Sequence, residues 1–166
     1  MAEKHLSTNS FIVSKTDTHG KITYCNDEFV AMSGYAREEL IGRPHNIIRH
    51  PDMPKVAFEL AWDRIKKREE FIGYVKNRCK NGDHYWVYAY ITADVCPKSN
   101  AIVGYTSFRR APTPGALRII EPLYADLAHA ERRSGINASR QKLGDALSGL
   151  GLEYDELVSK LQEGTL

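Results

Sequence analysis

The mainly apolar runs over residues 11–14 and 22–25 read as two short strands, and the turn-forming residues 17–20 between them predict an opening β-hairpin. Asn26 then predicts an N-cap for a short helix running through Met32, with Phe29 and Val30 as its apolar residues and Gly34 as its terminator. Residues 37–40 form another brief helical piece. Residues 42–53 hold two prolines and no usable period. After them Phe58, Ala61, Trp62 and Ile65 fall at i, i+3, i+4 and i+7, one face of an amphipathic helix over about residues 54–68. Asp52 is its expected cap, and Pro54 is tolerated in its first turn.

Residues 71–80 and 84–93 are rich in aromatic and β-branched side chains and flank an Asn81-Gly82-Asp83 turn, and residues 102–109 supply a further strand. Five strands, with the helices inserted between the second and third, predict an α+β fold: a mostly antiparallel sheet, helices on one face, and a pocket in the gap they bracket. On the far face the reading places Ile72, Tyr74, Tyr85 and Val87, an apolar surface that calls for a partner, a second copy or the N-terminal segment to cover it. Beyond Arg110 the spacing of Leu117, Ile120, Leu123, Tyr124 and Leu127 is helical, and Pro122 predicts a kink or a fresh start after Glu121. The stretch from Asn137, with Leu143, Leu147 and Leu150 on one face and Leu157 and Leu161 after a glycine break, reads as weak helices that need a partner surface. The expected organisation is an N-terminal cap segment over residues 1–10, a compact domain over 11–111 and a C-terminal helical extension over 112–166.

Composition narrows the class. The 166 residues are 42% hydrophobic and 27% charged, enough for a real core and against disorder as the main state. The net charge of +2 is too balanced for a phosphate-backbone footprint, so nucleic acid is not an expected partner. Three cysteines without metal-ligand spacing, and no signal-peptide pattern at the start, fit free thiols in a reducing cytoplasm. No window approaches the roughly 18 apolar residues of a membrane span, so no direct membrane insertion is expected.

The densest chemistry lies in Pro44-His45-Asn46-Ile47-Ile48-Arg49-His50-Pro51-Asp52-Met53-Pro54. Arg49 offers a planar fork suited to a phosphate, and His50, held extended by the next proline, offers a second donor; both also read as groups that satisfy local carbonyls. Period two puts Phe71, Gly73, Val75, Asn77 and Cys79 on one strand face, so Asn77 either reads the edge of a heterocycle or is an ordinary asparagine at the core margin. Trp62 and Trp86 are candidates to flank a planar ring and, equally, core residues. No zinc spacing, nucleophile elbow, dinucleotide fingerprint or Walker loop is present, so catalysis is not expected. A haem ligated by His50 or His84 stays open, because one axial histidine suffices.

The order of elements resembles a PAS domain, and the pair PHNIIRHPDMP (residues 44–54) and KNRCKNGDHYWV (residues 76–87) resembles the sensory domain of bacterial aerotaxis receptors. Glu121-Pro122-Leu123-Tyr124 is similar to that family's following segment. The resemblance spans roughly residues 10–130 and implies a non-covalent FAD whose redox state is relayed to a signalling partner or output domain. It implies flavin-critical roles for Arg49, His50, Asp52, Trp62 and Asn77, with Asn46 and Phe58 as further cofactor contacts. The family often has a tryptophan where this chain has Phe71, which keeps an aromatic surface and loses an indole N–H. Photochemistry through a cysteinyl adduct is not expected, since residues 46–64 contain no cysteine. The function this implies is a flavin redox sensor, with a homodimer or a signalling protein as its partner; a haem gas sensor and a ligand-free interaction module are the alternatives. An oxidoreductase lacks any substrate or nicotinamide signature.

Overall fold

The computed structural model describes all of residues 1–166. After a two-residue strand β1 (Glu3–Lys4), the hairpin forms as β2 (Ile12–Thr16) and β3 (Ile22–Cys25), closed at the turn where the Gly20 N–H donates to Asp17 O. Helix α1 (Asp27–Ser33) starts at Asn26, whose side chain accepts from the Phe29 N–H, and ends at Gly34 in the left-handed region, as the cap signals require. A short α2 (Arg37–Leu40) and a 3₁₀ turn (His45–Ile48) lead into α3 (Lys55–Lys66). Strands β4 (Phe71–Arg78), β5 (His84–Val95) and β6 (Ile102–Arg110) complete the sheet in the order β4-β5-β6-β2-β3, all antiparallel neighbours, while β1 adds in parallel beside the start of β5.

Cross-strand register decides which residues face the helices. Val75 pairs with Val87 and Asn77 with Tyr85, so Tyr85 and Val87 lie on the same face as Asn77, not with Ile72 and Tyr74 as the sequence reading placed them. Lys76 pairs with Trp86 and Tyr74 with Tyr88, which puts Trp86 on the outer face. The error is one of parity: the three-residue turn makes odd positions pair with odd.

The chain beyond Arg110 forms α4 (Pro114–Ser134), α5 (Ile136–Leu150) and α6 (Tyr154–Glu163). Of the kink or fresh start expected at Pro122, the fresh start does not occur. α4 runs through Pro122, because Ile120, Tyr124 and Leu127 on either side of it all bury in one core, which offsets the hydrogen bond that the proline removes. These helices supply the partner surface they lack alone by packing on the sheet edge: Tyr124 Oη donates to Tyr74 O (2.8 Å), Tyr124 tilts over Trp86 at 5.9 Å, and Leu143, Leu157 and Leu161 join Ile65, Phe71 and Trp86 in a single hydrophobic cluster. A second cluster, around Phe29, Ile12, Ile22, Leu40 and Ile48, fills the other end.

At Gly104 the sheet leaves no room for a side chain: a Cβ there would sit 2.2 Å from Thr16 O on the neighbouring strand. Gly104→Ala must therefore push β2 off β6. It is expected to lose about 2 kcal/mol, a melting temperature lower by roughly 4–8 °C, and a melting curve within 1 °C of wild type would contradict that geometry.

Candidate functional site

Between α3 and the sheet lies a mostly apolar cavity of about 130 Å³ that opens to solvent. One wall is α3, presenting Phe58, Ala61, Trp62 and Ile65 at the spacing read from the sequence. Asn46, Ile48 and Arg49 close it from the 3₁₀ turn and the loop after it, and Val75, Asn77, Ala89, Ile91 and Tyr105 line the sheet side. Trp62 and Tyr105 meet edge to face with ring centroids 5.3 Å apart, and Lys66 Nζ lies over the Trp62 ring at 5.6 Å.

The structure brings together Asn46, Arg49, Phe58, Trp62 and Asn77 of the residues picked from sequence, and it does not bring His50, Asp52 or Phe71 into the lining. The His50 ring turns to the outside, where Nδ1 accepts from the Asp52 N–H (3.0 Å) and the ring lies edge-on to His84 at 5.8 Å. Asp52 bonds Lys76 Nζ at 3.1 Å instead of capping α3. His50 N–H donates to Lys76 O, and Arg49 bridges to Asn77, so the RHPD stretch lies along the free edge of β4 and holds Arg49 at the rim. Phe71 points from the inner face to α6, where its ring stacks on Tyr154 at 6.0 Å and 14°.

Two cations belong to this cavity, and neither forms a salt bridge. Arg49 is at the rim, with its guanidinium 3.7 Å over the Phe58 ring, and partial burial lowers its pKa. Arg109 is deep, 3% exposed, with its guanidinium 4.9 Å over Phe29 and its charge balanced by no carboxylate. Burial brings Arg109 down to about 10, with Tyr85 pulling the other way. It donates to Ser14 Oγ and lies 3.4 Å from His45 Nε2, while Ser14 Oγ is 3.0 Å from the same nitrogen. Since Arg109 can only donate, His45 Nε2 is an acceptor and its ring is neutral. Burial first, and the Arg109 charge second, hold the His45 pKa at about 3. Asn77 Nδ2 and Arg109 Nε have no hydrogen-bond partner although both are buried. Tyr85 Oη is buried and unpartnered as well, and spare N–H donors at this depth suit a ligand edge that carries acceptors.

Ser14, His45, Tyr105, Ser107 and Arg109 were not picked from the sequence. A signal existed: period two on β6 sets Tyr105, Ser107 and Arg109 on one face, and a strand face that ends in an arginine is worth testing against the pocket.

A neutral His45 carries a stability signature. Its folded pKa lies below the unfolded value of about 6.5, so the unfolded chain takes up the proton first and stability falls as pH drops from about 6.5 toward 3. Partial exposure of the residue limits the slope to at most about 1 kcal/mol per pH unit. His45→Gln, less stable than wild type at pH 7, is expected to lose that disadvantage by pH 4.5; parallel melting-temperature curves across this range would remove His45 as the cause.

No group of three or more His, Cys, Asp and Glu side chains is placed to hold a metal ion, and no helix is long and apolar enough to cross a membrane. A family model described as the PAS fold matches residues 22–109. The chain is 48% identical over 122 residues to the aerotaxis receptor of Escherichia coli K12, a match that covers 74% of this chain and 24% of the receptor, and 30% identical over 74 residues to a biofilm dispersion protein of Pseudomonas aeruginosa, covering 44% and 18%. It thus spans about a quarter of the receptor's length or less in each of these relatives. Among solved structures, a light-oxygen-voltage domain studied with a flavin analogue superposes with a TM-score of 0.58 at 20% identity, covering 68% of this chain and 83% of that one. The dark form of the blue-light photoreceptor aureochrome 1 gives 0.56 at 19%, covering 74% and 83%. At these identities the likeness is one of fold.

Proposed function

Because this chain belongs to the PAS-fold family, a family of sensor domains among its matched relatives, we propose that its cavity holds a flavin, FAD, and that the protein is a non-catalytic redox sensor in aerotaxis-type signalling. The carrying observation is the pair of buried, unpartnered donors, Asn77 Nδ2 and Arg109 Nε, inside a cavity walled by Phe58, Trp62 and Tyr105. The residues fit the group. A flavin ring has flat apolar faces for Trp62 and Tyr105, and a pyrimidine edge bearing carbonyl oxygens and ring nitrogens for Asn77 and Arg109. Arg49, at the rim with its fork free, suits the pyrophosphate, and Asn46 beside it offers an amide.

His50 and Asp52 enter this reading as positioning residues for Arg49, through the loop they tie to Lys76. Bound flavin would supply a ring whose electron count changes reversibly. The chain's own part is to exclude water from that ring, to orient it, and to respond to altered charge at its edge through Arg109, Ser14 and His45. That response has a structural route, since Ser14 lies on β2, Arg109 on β6 and Asn77 on β4, all in one sheet. The partner that receives the signal is read as a second copy, an output domain or a separate protein in the cytoplasm.

An absorption spectrum of purified protein tests the assignment. Flavin gives two broad bands in the near-ultraviolet and blue, and release by denaturation followed by chromatography separates FAD from FMN. A Soret band would replace the assignment with haem, and a colourless chain that takes up no added flavin would leave an interaction module.

A further inference from the structure

Helix α3 forms the cavity wall, yet it lacks a local cap. Pro54 occupies the N-cap position without a side-chain hydrogen bond, so the first N–H groups of the helix would be left unpaired by the residues around them. They are paired from 75 residues away or more: Lys55 N–H donates to Glu131 Oε1 at 2.7 Å and Val56 N–H to Glu131 Oε2 at 3.0 Å. Ser139 Oγ on α5 donates to Oε2 at 2.8 Å and fixes the carboxylate. The charge sits at the positive end of the helix dipole, where an anion is favoured.

Further contacts between the C-terminal helices and the cavity wall reinforce this one. Arg140 on α5 forks onto Glu59, one residue past the cavity-lining Phe58, and Arg64 next to Ile65 lies 3.4 Å from Asp155 on α6. Tyr154 stacks on Phe71, whose cross-strand partner Ile91 lines the cavity. α4, α5 and α6 thus grip the elements that shape the cavity, and the grip at the start of α3 is one carboxylate.

We propose that Glu131 is a positioning residue for the cavity: it latches the first turn of α3 to the C-terminal helices, so that ligand occupancy and the docking of α4–α6 strengthen each other. Reciprocity follows from linkage, since a ligand that orders α3 favours the state in which Glu131 is bound, and undocking the helices must weaken the ligand by the same factor. The latch itself is independent of what the ligand is; the ligand named in the test rests on the flavin reading. An output element that pulls on α4 would in this way act on the cofactor, and a change at the cofactor would act on α4.

The test uses the full chain. Hydrogen exchange of wild type with and without FAD is expected to show slower exchange in α4–α6 when FAD is bound, and Glu131→Ala is expected to weaken FAD about 5-fold and abolish that flavin-dependent protection. Glu131→Gln, which keeps one acceptor oxygen for Lys55 or Val56, is expected to fall between the two. A purely structural role would lower the melting temperature and leave both FAD affinity and the flavin-dependent difference unchanged; that result overturns the proposal. If Glu131→Ala fails to fold, the wild-type comparison decides alone, and identical exchange in α4–α6 with and without FAD overturns it. If wild type takes up no FAD, the flavin reading has failed and the latch is judged on the ligand-free protein. There, faster exchange in Glu131→Ala at Lys55, Val56 and on to Trp62 supports the latch, and unchanged exchange overturns it.

Discussion

Arg49→Ala is expected to give a folded chain that purifies without colour, with affinity for FAD reduced at least about 100-fold, or about 2.7 kcal/mol. The fold survives because the side chain has no salt bridge and its main contact is the face of Phe58, a contact worth roughly 0.5–1 kcal/mol at an exposed site. The ligand suffers because the rim loses its one planar fork for a doubly anionic linker, and nothing else in the lining except the deep Arg109 carries a positive charge at neutral pH. Arg49→Lys is expected to lie between, keeping the charge and losing the paired donors. The measurement is the ratio of blue absorbance to protein absorbance after purification, beside a thermal melt. A variant that keeps stoichiometric flavin and melts like wild type would show that the rim does not hold the ligand.

Arg109→Met separates stability from binding, because the two are expected to move in opposite directions. In the ligand-free protein Arg109 is a buried cation with an unpartnered Nε and no carboxylate, an arrangement that costs stability. Its depressed pKa has the same sign: the unfolded chain holds the proton more tightly than the folded one, so the cost is present in full at all pH below about 10. Methionine fills similar space against Phe29, and Ser14 and His45 still satisfy each other. The variant is expected to melt about 2–4 °C higher without ligand, for a gain of about 1 kcal/mol, and to lose FAD by at least about 100-fold. A ligand-free variant that is less stable by several degrees would mean that Arg109 is structural cement; full flavin content would mean that the ligand's edge does not meet it.

These two arginines were not equally legible. Arg49 sits in a run of loop residues whose density of donors marks it in one dimension, and its place at the rim follows from the proline-bounded geometry of that run. Arg109 occupies the end of a strand like many surface arginines, and only the pairing of β6 with β2 brings it to Ser14, across 95 positions of sequence. The aromatic residues divide in the same way. Trp62 followed from helical spacing on α3 alone, whereas Phe71 and Trp86 depended on which face each strand position takes and on what covers it; both meet the C-terminal helices instead of the cavity. His50 shows a third case, in which the right loop was identified and the side chain's direction was not, because the Asp52 N–H and the His84 ring hold the imidazole outside the cavity, with Asp52 itself tied to Lys76.

What the chain alone determined are the features that depend on neighbours within one turn or one strand: the hairpin at residues 17–20, the Asn26 and Gly34 caps, the cavity face of α3 and the order of elements in the sheet-and-helix layers. Local dihedral preference and apolar period suffice for these, because each is decided by residues a few positions apart. Tertiary structure alone decided the convergence of Ser14, His45 and Arg109, the unbroken course of α4 through Pro122, and the capping of α3 by Glu131. Each of those is a contact between distant segments, chosen because burying apolar area and pairing otherwise orphaned donors across the whole fold outweighs what any one segment prefers by itself.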